Sequence, residues 1–488
     1  MHINNTIKDK TLTTNLDENY NTFQDIFKNC DTVRFRRLSA DGKPYALIFC
    51  DGLVSSEVIN NAIAQRLSFG SDIPVGEYTE TQNIEDIVFS VMFGDCLVLG
   101  ENGFCAIMNA KGFPQRGINE PEGEKILSGP REGFCENMMT NLSMLRRKLK
   151  TSELKTEVIK VGEISNTPVA ICYVDGVVKP ERVTEIRDKL AEIEIDGVLD
   201  TQYLTELMGI GTNTSFPLSG KTERPDVAAA KLLEGRVALL CDGSPVCATL
   251  PYLFIENFQS AEDYYVAPFY ASFGRILRMC AFVLTVFLPA YFILALSYCQ
   301  WLLPGMTLAK IAVEREGVPL PVALECFLML CVFELLREGG VRVPGYIGQA
   351  LSVVGALIIG SAAVGASLVS ETMVIIIAVT GLSALTIPKL SSASLLWRFA
   401  VLLATAFFGI YGFAIAAIAL IVRLFTLKSL DVRHIFPAKK LRFQNIKDTF
   451  FRTDMQRMNE RLSVLSTNRT RNSRQAPTGN SYAENAKN

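Results

Sequence analysis

Between Met279 and Trp301 the chain runs 23 residues without a single Asp, Glu, Lys or Arg. As a helix rising about 1.5 Å per residue, that stretch is about 35 Å long, enough to cross the ~30 Å hydrocarbon core of a bilayer. The sequence therefore reads as a membrane-integral protein. The roughly 270 residues before the run have ordinary soluble composition, whereas most of the chain after it, as far as Val422, is apolar again. The expected fold class is an α/β cytoplasmic domain of two similar lobes followed by a C-terminal α-helical transmembrane domain.

With 488 residues the chain is too long for one domain. Its formal net charge of −2 gives no reason to expect nucleic acid as a partner. From Arg423 onward, however, Lys and Arg outnumber Asp and Glu, so the tail is basic. Met1 to Tyr20 is polar and carries no apolar run of the kind that directs export, so the large domain is expected to stay in the cytoplasm. The twelve cysteines never fall as C-x-x-C and sit mainly in apolar runs, which fits buried free thiols in a reducing compartment. The two histidines, His2 and His434, lie near opposite ends, which argues against a His-based metal or catalytic site.

The soluble part reads as an internal duplication. Tyr45-Ala-Leu-Ile-Phe-Cys-Asp51-Gly-Leu-Val54 is an apolar strand ending in Asp-Gly before a helical stretch, Ser55 to Leu67. Val169-Ala-Ile-Cys-Tyr-Val-Asp175-Gly-Val-Val178 repeats the pattern before Pro180 to Ile193. A second matched pair is Gly94 to Gly103 and Gly235 to Gly243, each a strand closing on a turn. The expected domains are a disordered N-terminal tail (1–30), a first α/β lobe (31–133), a connecting helix (134–150) and a second lobe (151–271). A transmembrane helical domain (272–425) and a basic, largely disordered cytoplasmic tail (426–488) complete the chain.

Further apolar segments occur at Leu320 to Leu336, Ile347 to Val369, Met373 to Ile387 and Phe399 to Val422, and Thr307 to Glu316 reads as an interfacial helix. Five crossings from a cytoplasmic N-terminus would leave the basic tail outside, against the positive-inside tendency. Four are therefore preferred, with Met373 to Pro388, which is short and interrupted by Gly381 and Pro388, as the segment that does not cross.

Glu325 and Glu334 stand within an apolar segment, where a carboxylate is costly unless it faces protein or water. They are candidate pore or bundle polar residues. Nine positions apart, they lie about half a turn from each other on an ideal helix, so both cannot face one pore. Glu334 alternatively pairs with Arg337 at i+3 near the interface. Ser352, Ala356 and Gly360 recur every four positions as a seam for close helix approach. No G-x-S-x-G, H-E-x-x-H or Walker pattern occurs, so neither an enzyme nor a bound cofactor is expected. The polar run Lys221 to Asp226, with Glu223 and Asp226, reads equally well as a binding site or as a turn capping the helix Val227 to Leu233.

Several ordered words together resemble the A subunits of GerA-type nutrient germinant receptors of endospore-forming bacteria. They are Glu120-Pro-Glu-Gly-Glu-Lys125, Gly129-Pro-Arg131-Glu132-Gly-Phe134, Thr140-Asn141, Leu145-Arg-Arg147, Thr222-Glu223-Arg224-Pro225-Asp226, Leu233-Glu-Gly-Arg236, Gln259-Ser260 with Glu262-Asp-Tyr264, Arg315-Glu-Gly-Val-Pro319, Phe333-Glu-Leu-Leu-Arg-Glu338 and Ile347-Gly-Gln with Val354-Gly-Ala-Leu357. The likeness covers roughly Asp31 to Arg452. Leu330 stands where many relatives place an acidic residue, and the tail beyond Met455 lacks the family's closing Trp/Pro pattern.

The resemblance implies a multi-pass subunit in the spore inner membrane, with its N-terminal domain in the cytoplasm, that homo-oligomerises to form or gate an ion channel. It implies a transporter-like B subunit, which binds the nutrient, and a lipoprotein C subunit as partners, besides membrane lipid. The stage V sporulation AF protein of the same family, assisting germination ion release, and a membrane scaffold without conductance are the alternatives. A secondary transporter fits poorly, because the duplicated region here is soluble.

Overall fold

A computed structural model describes residues 11–40, 42–60, 78–79, 83–112, 120–121, 123–342, 360–435, 448–449, 451–458, 460–462, 464–468 and 470–471. The first sheet is built from β1 (Val33–Ala40), β2 (Lys43–Cys50), β3 (Tyr78–Thr79), β4 (Asp95–Gly100) and β5 (Cys105–Asn109), in the order β1-β2-β4-β5-β3. The second is built from β6 (Leu154–Val161), β7 (Thr167–Val174), β8 (Gly220–Thr222), β9 (Val237–Cys241) and β10 (Cys247–Leu250), in the order β6-β7-β9-β10-β8. All pairings are antiparallel, and each sheet opens on an eight-pair hairpin, Val33 opposite Cys50 and Leu154 opposite Val174. The two runs ending in Asp51-Gly and Asp175-Gly thus form the second strands of the two sheets, and Gly94 and Gly235 stand just before β4 and β9.

Alternation sorts each strand between two faces. In β2, Ala46, Ile48 and Cys50 join a core with α1 (Leu16–Ile26) and α2 (Ile84–Phe93), while Leu47 and Phe49 face a second core with Val54 and Ile59. In the second sheet Ala170, Cys172 and Val174 pack on α3 (Met138–Lys148) and α6 (Pro225–Leu233), and Val169, Ile171 and Tyr173 on α4 (Pro180–Ala191) and α5 (Thr201–Leu207). Strands buried on both sides explain why the runs read as continuous apolar stretches.

The structure corrects three expectations. Within the stretch 1–30 expected to be disordered, Leu16, Tyr20, Phe23 and Phe27 follow helical spacing, Asn15 caps the helix by accepting from the Asp17 amide, and Phe23 and Phe27 are buried. Each buried Phe contributes about 1.5–3 kcal/mol of transfer free energy, enough to seat the helix. The helix expected over 134–150 is shorter, Met138–Lys148, and its apolar residues Met138, Leu142 and Leu145 join the second lobe's core. It starts at Met138 because the Asn137 side chain accepts from the Thr140 amide at 3.0 Å. Its basic end splits: Arg146 is buried and donates to Thr32 and Thr156 (3.1 and 3.0 Å), whereas Arg147 and Lys148 both pair with Glu132. Arg146 therefore ties the two sheets together.

The third correction concerns the tail 426–488. Lys428–Ser429 (β11) and Val432–Arg433 (β12) form a hairpin, His434 is buried, and the hairpin is held by Ser429 Oγ donating to Leu218 O at 2.6 Å and by Phe254 N donating to His434 O at 2.8 Å. Farther on, Ser466 bridges to Val178, and the buried Arg182 guanidinium donates to Leu465 O (2.8 Å), Val464 O (3.0 Å) and Asp431 (3.0 Å). Among the described residues of 426–488, Leu427, Val432 and Leu465 are buried, so these parts of the tail are seated.

The apolar part contains α7 (Pro268–Ile293), which a π turn extends to Tyr298, then α8 (Gly305–Glu314), α9 (Val322–Arg342), α10 (Glu371–Leu385) and α11 (Ser391–Thr426). Among the described residues two stretches are long and apolar enough to cross a membrane, Pro268–Tyr298 and Pro388–Thr426, with mean hydropathies of 2.4 and 2.3. At 15 residues α10 is about 22 Å long, short of the ~30 Å hydrocarbon core. α11 is interrupted at Gly409, where φ is 57° and ψ −134°. The second lobe is fused to these helices by edge-to-face rings, Phe254 with Phe216, Phe258 and Phe282 at 5.3–6.0 Å between centroids, packed beside Leu390, Ala393 and Val401.

Candidate functional site

β8 runs directly into α6, and Thr222 to Asp226 make the turn between them. Pro225 suits the first helical turn, and Asp226 there faces the positive end of the helix dipole. The helix begins at Pro225 rather than Val227, with Arg224 at the cap position and no side-chain cap bond. Arg224 is fully buried and donates to Pro130 O (2.6 Å), Asp226 Oδ2 (3.0 Å) and Glu124 O (3.4 Å). Thr222 Oγ1 donates to Glu124 Oε2 at 2.5 Å, and the Glu223 amide to the same oxygen at 3.3 Å. Glu223 Oε2 accepts from the Gly123 amide (3.0 Å), and its carbonyl from the Phe134 amide (2.7 Å).

Sequence words about a hundred residues apart thus form one unit, in which the segment from Gly123 to Phe134 is stitched to the β8–α6 turn. Burial alone would raise the Glu132 carboxyl, yet Lys148 and Arg147 hold it below the usual carboxylate range. Arg131, by contrast, is exposed. The unit reaches the start of each of the two long apolar stretches. Tyr265, just before α7, donates to Asp226 Oδ2 at 2.6 Å, and burial together with Asp226 pushes its phenol up. Lys389, in the turn leading into α11, lies 3.8 Å from Glu124.

Glu325 is fully buried in the first turn of α9. Its Oε1 accepts from the Ser370 amide and hydroxyl, both at 2.8 Å, and its Oε2 pairs with Arg315. Ser370 is itself the N-cap of α10, and Arg315 also donates to Leu320 O at 3.2 Å. The carboxylate therefore closes a knot among the end of α8, the start of α9 and the start of α10. Glu334 lies elsewhere, pairing with Arg398 of α11 and with Arg337 at 2.7 Å. Leu330, between them in sequence, is buried in the apolar bundle core. Of the small-residue seam, Ser352 and Ala356 lie outside the described residues, and a Cβ placed on Gly360 would meet nothing within 4 Å.

Reading by sequence finds the Glu334–Arg337 pair but misses two arginines. Arg315 enters only within a family word, and Arg398 falls outside an apolar segment begun at Phe399, although α11 starts at Ser391 and buries it. The usable signal is a lone arginine beside a long apolar run, which must find an acid. A third network, equally hidden in the sequence, surrounds Glu256: Arg236 donates to it at 2.6 Å, the Leu253 amide at 3.0 Å, and Lys231 pairs with it. Although burial opposes ionisation, Arg236 and Lys231 bring Glu256 down to about 2. Among the described residues no group of His, Cys, Asp and Glu is arranged to hold a metal ion.

Comparison with known proteins places these features in context. The family model described as "Bacillus/Clostridium GerA spore germination protein" matches residues 21–464. Spore germination protein KA of Bacillus subtilis (strain 168) is 38% identical over 405 residues, which is 82% of this chain and 74% of that protein. Spore germination protein GerLA of Bacillus cereus is 33% identical, covering 84% of each chain. The uncharacterized membrane protein YfkQ of Bacillus subtilis (strain 168) is 32% identical over 94% of this chain and 93% of its own. The crystal structure of the N-terminal domain of the A subunit of the Bacillus megaterium spore germinant receptor GerK3 aligns with a TM-score of 0.40 and 28% identity, covering 50% of this chain and 98% of that one.

Proposed function

Because the chain belongs to the GerA family of Bacillus/Clostridium spore germination proteins, we propose that it is the A subunit of a nutrient germinant receptor, a multi-pass protein of the spore inner membrane that oligomerises to form or gate an ion channel. The observation that carries this reading is the extent of the match, residues 21–464, which takes in both sheets and the apolar helices together. Its partners in the assembly are a transporter-like B subunit, which holds the nutrient, and a lipoprotein C subunit. The soluble lobes act as the coupling body, since the β8–α6 turn is bonded both to Tyr265 ahead of α7 and, through Glu124, to Lys389 ahead of α11.

The test is spore physiology followed by reconstitution. Spores lacking this chain should fail to release monovalent cations when given the nutrient mixture that triggers the parent, and purified protein in planar bilayers should conduct. Loss of response without any conductance would make the chain a scaffold rather than a channel. Unaltered nutrient responses with slowed ion release would favour the stage V AF-type role instead.

A further inference from the structure

We propose that the cluster of Glu334, Arg337 and Arg398, between α9 and α11, is a binding site for a small monovalent anion such as chloride or nitrate. Arg398 is 1% exposed, and only its Nη2 is engaged, by Glu334 Oε1. Its Nε and Nη1 are buried and have no hydrogen-bond partner among the described residues. The other oxygen of the same carboxylate lies 2.7 Å from Arg337 but accepts no hydrogen bond among the described residues, so two guanidinium groups face one acid without satisfying it fully. A guanidinium does not shed its proton on burial, so the surplus positive charge stays unless a negative one joins it.

Among the described residues, no acid on the packed elements is left over to supply it. On α9, Glu325 is committed to Arg315 and Ser370, and Glu338 pairs with Arg342. α10 carries only Glu371, exposed in its first turn, and α7 and α11 carry no acidic residue. The Arg398 side chain is shut in, with its guanidinium carbon 5.8 Å from the Phe399 ring, whereas Arg337 is 27% exposed. An ion therefore enters past Arg337 and rests on the free edge of Arg398.

The experiment is thermal unfolding of the purified full-length protein in non-ionic detergent, at fixed pH and ionic strength, with gluconate replaced stepwise by chloride or nitrate. The midpoint should rise with anion concentration in a saturable way. Removing both charges in the Glu334→Gln/Arg398→Gln pair should abolish the dependence. Glu334→Gln alone, which keeps Arg398 and removes its competitor, should lower the half-saturating concentration several-fold. Indifference of the parent protein to anion identity would overturn the proposal, as it would if a partner's carboxylate filled the site. So would an unchanged dependence in the double variant, which would mean adventitious ions at the surface only, or the absence of tightening in Glu334→Gln.

Discussion

Glu325 illustrates how a single side chain divides structural from conductive roles. Its two oxygens are fully used by Ser370 and Arg315, so Glu325→Gln loses the charge that Arg315 needs while keeping the shape. Breaking one partner of a buried pair costs about 3–5 kcal/mol. The expected outcome is a lower unfolding midpoint and lower membrane abundance, with partial recovery in Glu325→Gln/Arg315→Gln, as read by thermal unfolding and immunoblot. Normal abundance with altered ion selectivity would instead assign Glu325 to a conduction path. A second prediction for single residues concerns acid. Glu256 has a folded value near 2, below its unfolded value, so its contribution is complete above about pH 4.5 and is lost as pH falls towards 2. Burial lowers the His434 imidazole, so His434 acts in a higher window, favouring the fold above about pH 6.5 and withdrawing that support below it. Stability should therefore fall in two stages on acidification. The lower stage should vanish in Glu256→Gln, and an unaltered acid profile in that variant would contradict the assignment.

Among the secondary-structure elements the informative one is α11, which is a broken rather than a continuous helix. Gly409 adopts φ 57° and ψ −134°, a region that side-chain-bearing residues avoid, and the Tyr298 ring fills the space where a Cβ would point. Tyr298 also donates to Ala406 O at 2.6 Å, satisfying a carbonyl near the break. Exposed backbone of this kind is tolerated at membrane depth only where protein or water satisfies it. Gly409→Ala should destabilise by about 1–3 kcal/mol through backbone strain alone. The difference from the parent in thermal unfolding checks this, and a neutral result would mean that α11 straightens without penalty.

At the scale of the whole molecule the decisive feature is that residues 464–467 return to the second lobe. Arg182, at the start of α4, takes Leu465 O and Val464 O as acceptors, and Thr467 N donates to Val177 O. Each hydrogen bond of a charged group is worth about 1.5–3 kcal/mol. Truncation after Arg457 should therefore lower the unfolding midpoint of the α/β part, although Arg182 keeps its pairing with Asp431. If truncation left stability unchanged, the tail would be a passive passenger on the lobe.

The division into an α/β part and an apolar helical part was legible in the order of amino acids alone, because charge-free runs and β-alternation are local properties of the chain. The paired strand runs ending in Asp51-Gly and Asp175-Gly were legible for the same reason. Glu325 and Glu334 stood out as anomalies, since a carboxylate among apolar neighbours is visible without any fold. Where their charges go was settled by packing. Arg315 lies 10 positions from Glu325 and Arg398 lies 64 from Glu334, and no periodicity links residues so far apart. Likewise the meeting of Glu124 with Thr222, and of Arg182 with Leu465, depends on sheet order and on the path of the tail. Those pairings arise only once two lobes and two long helices have packed, because distance along the chain carries no information about which buried charge will face which.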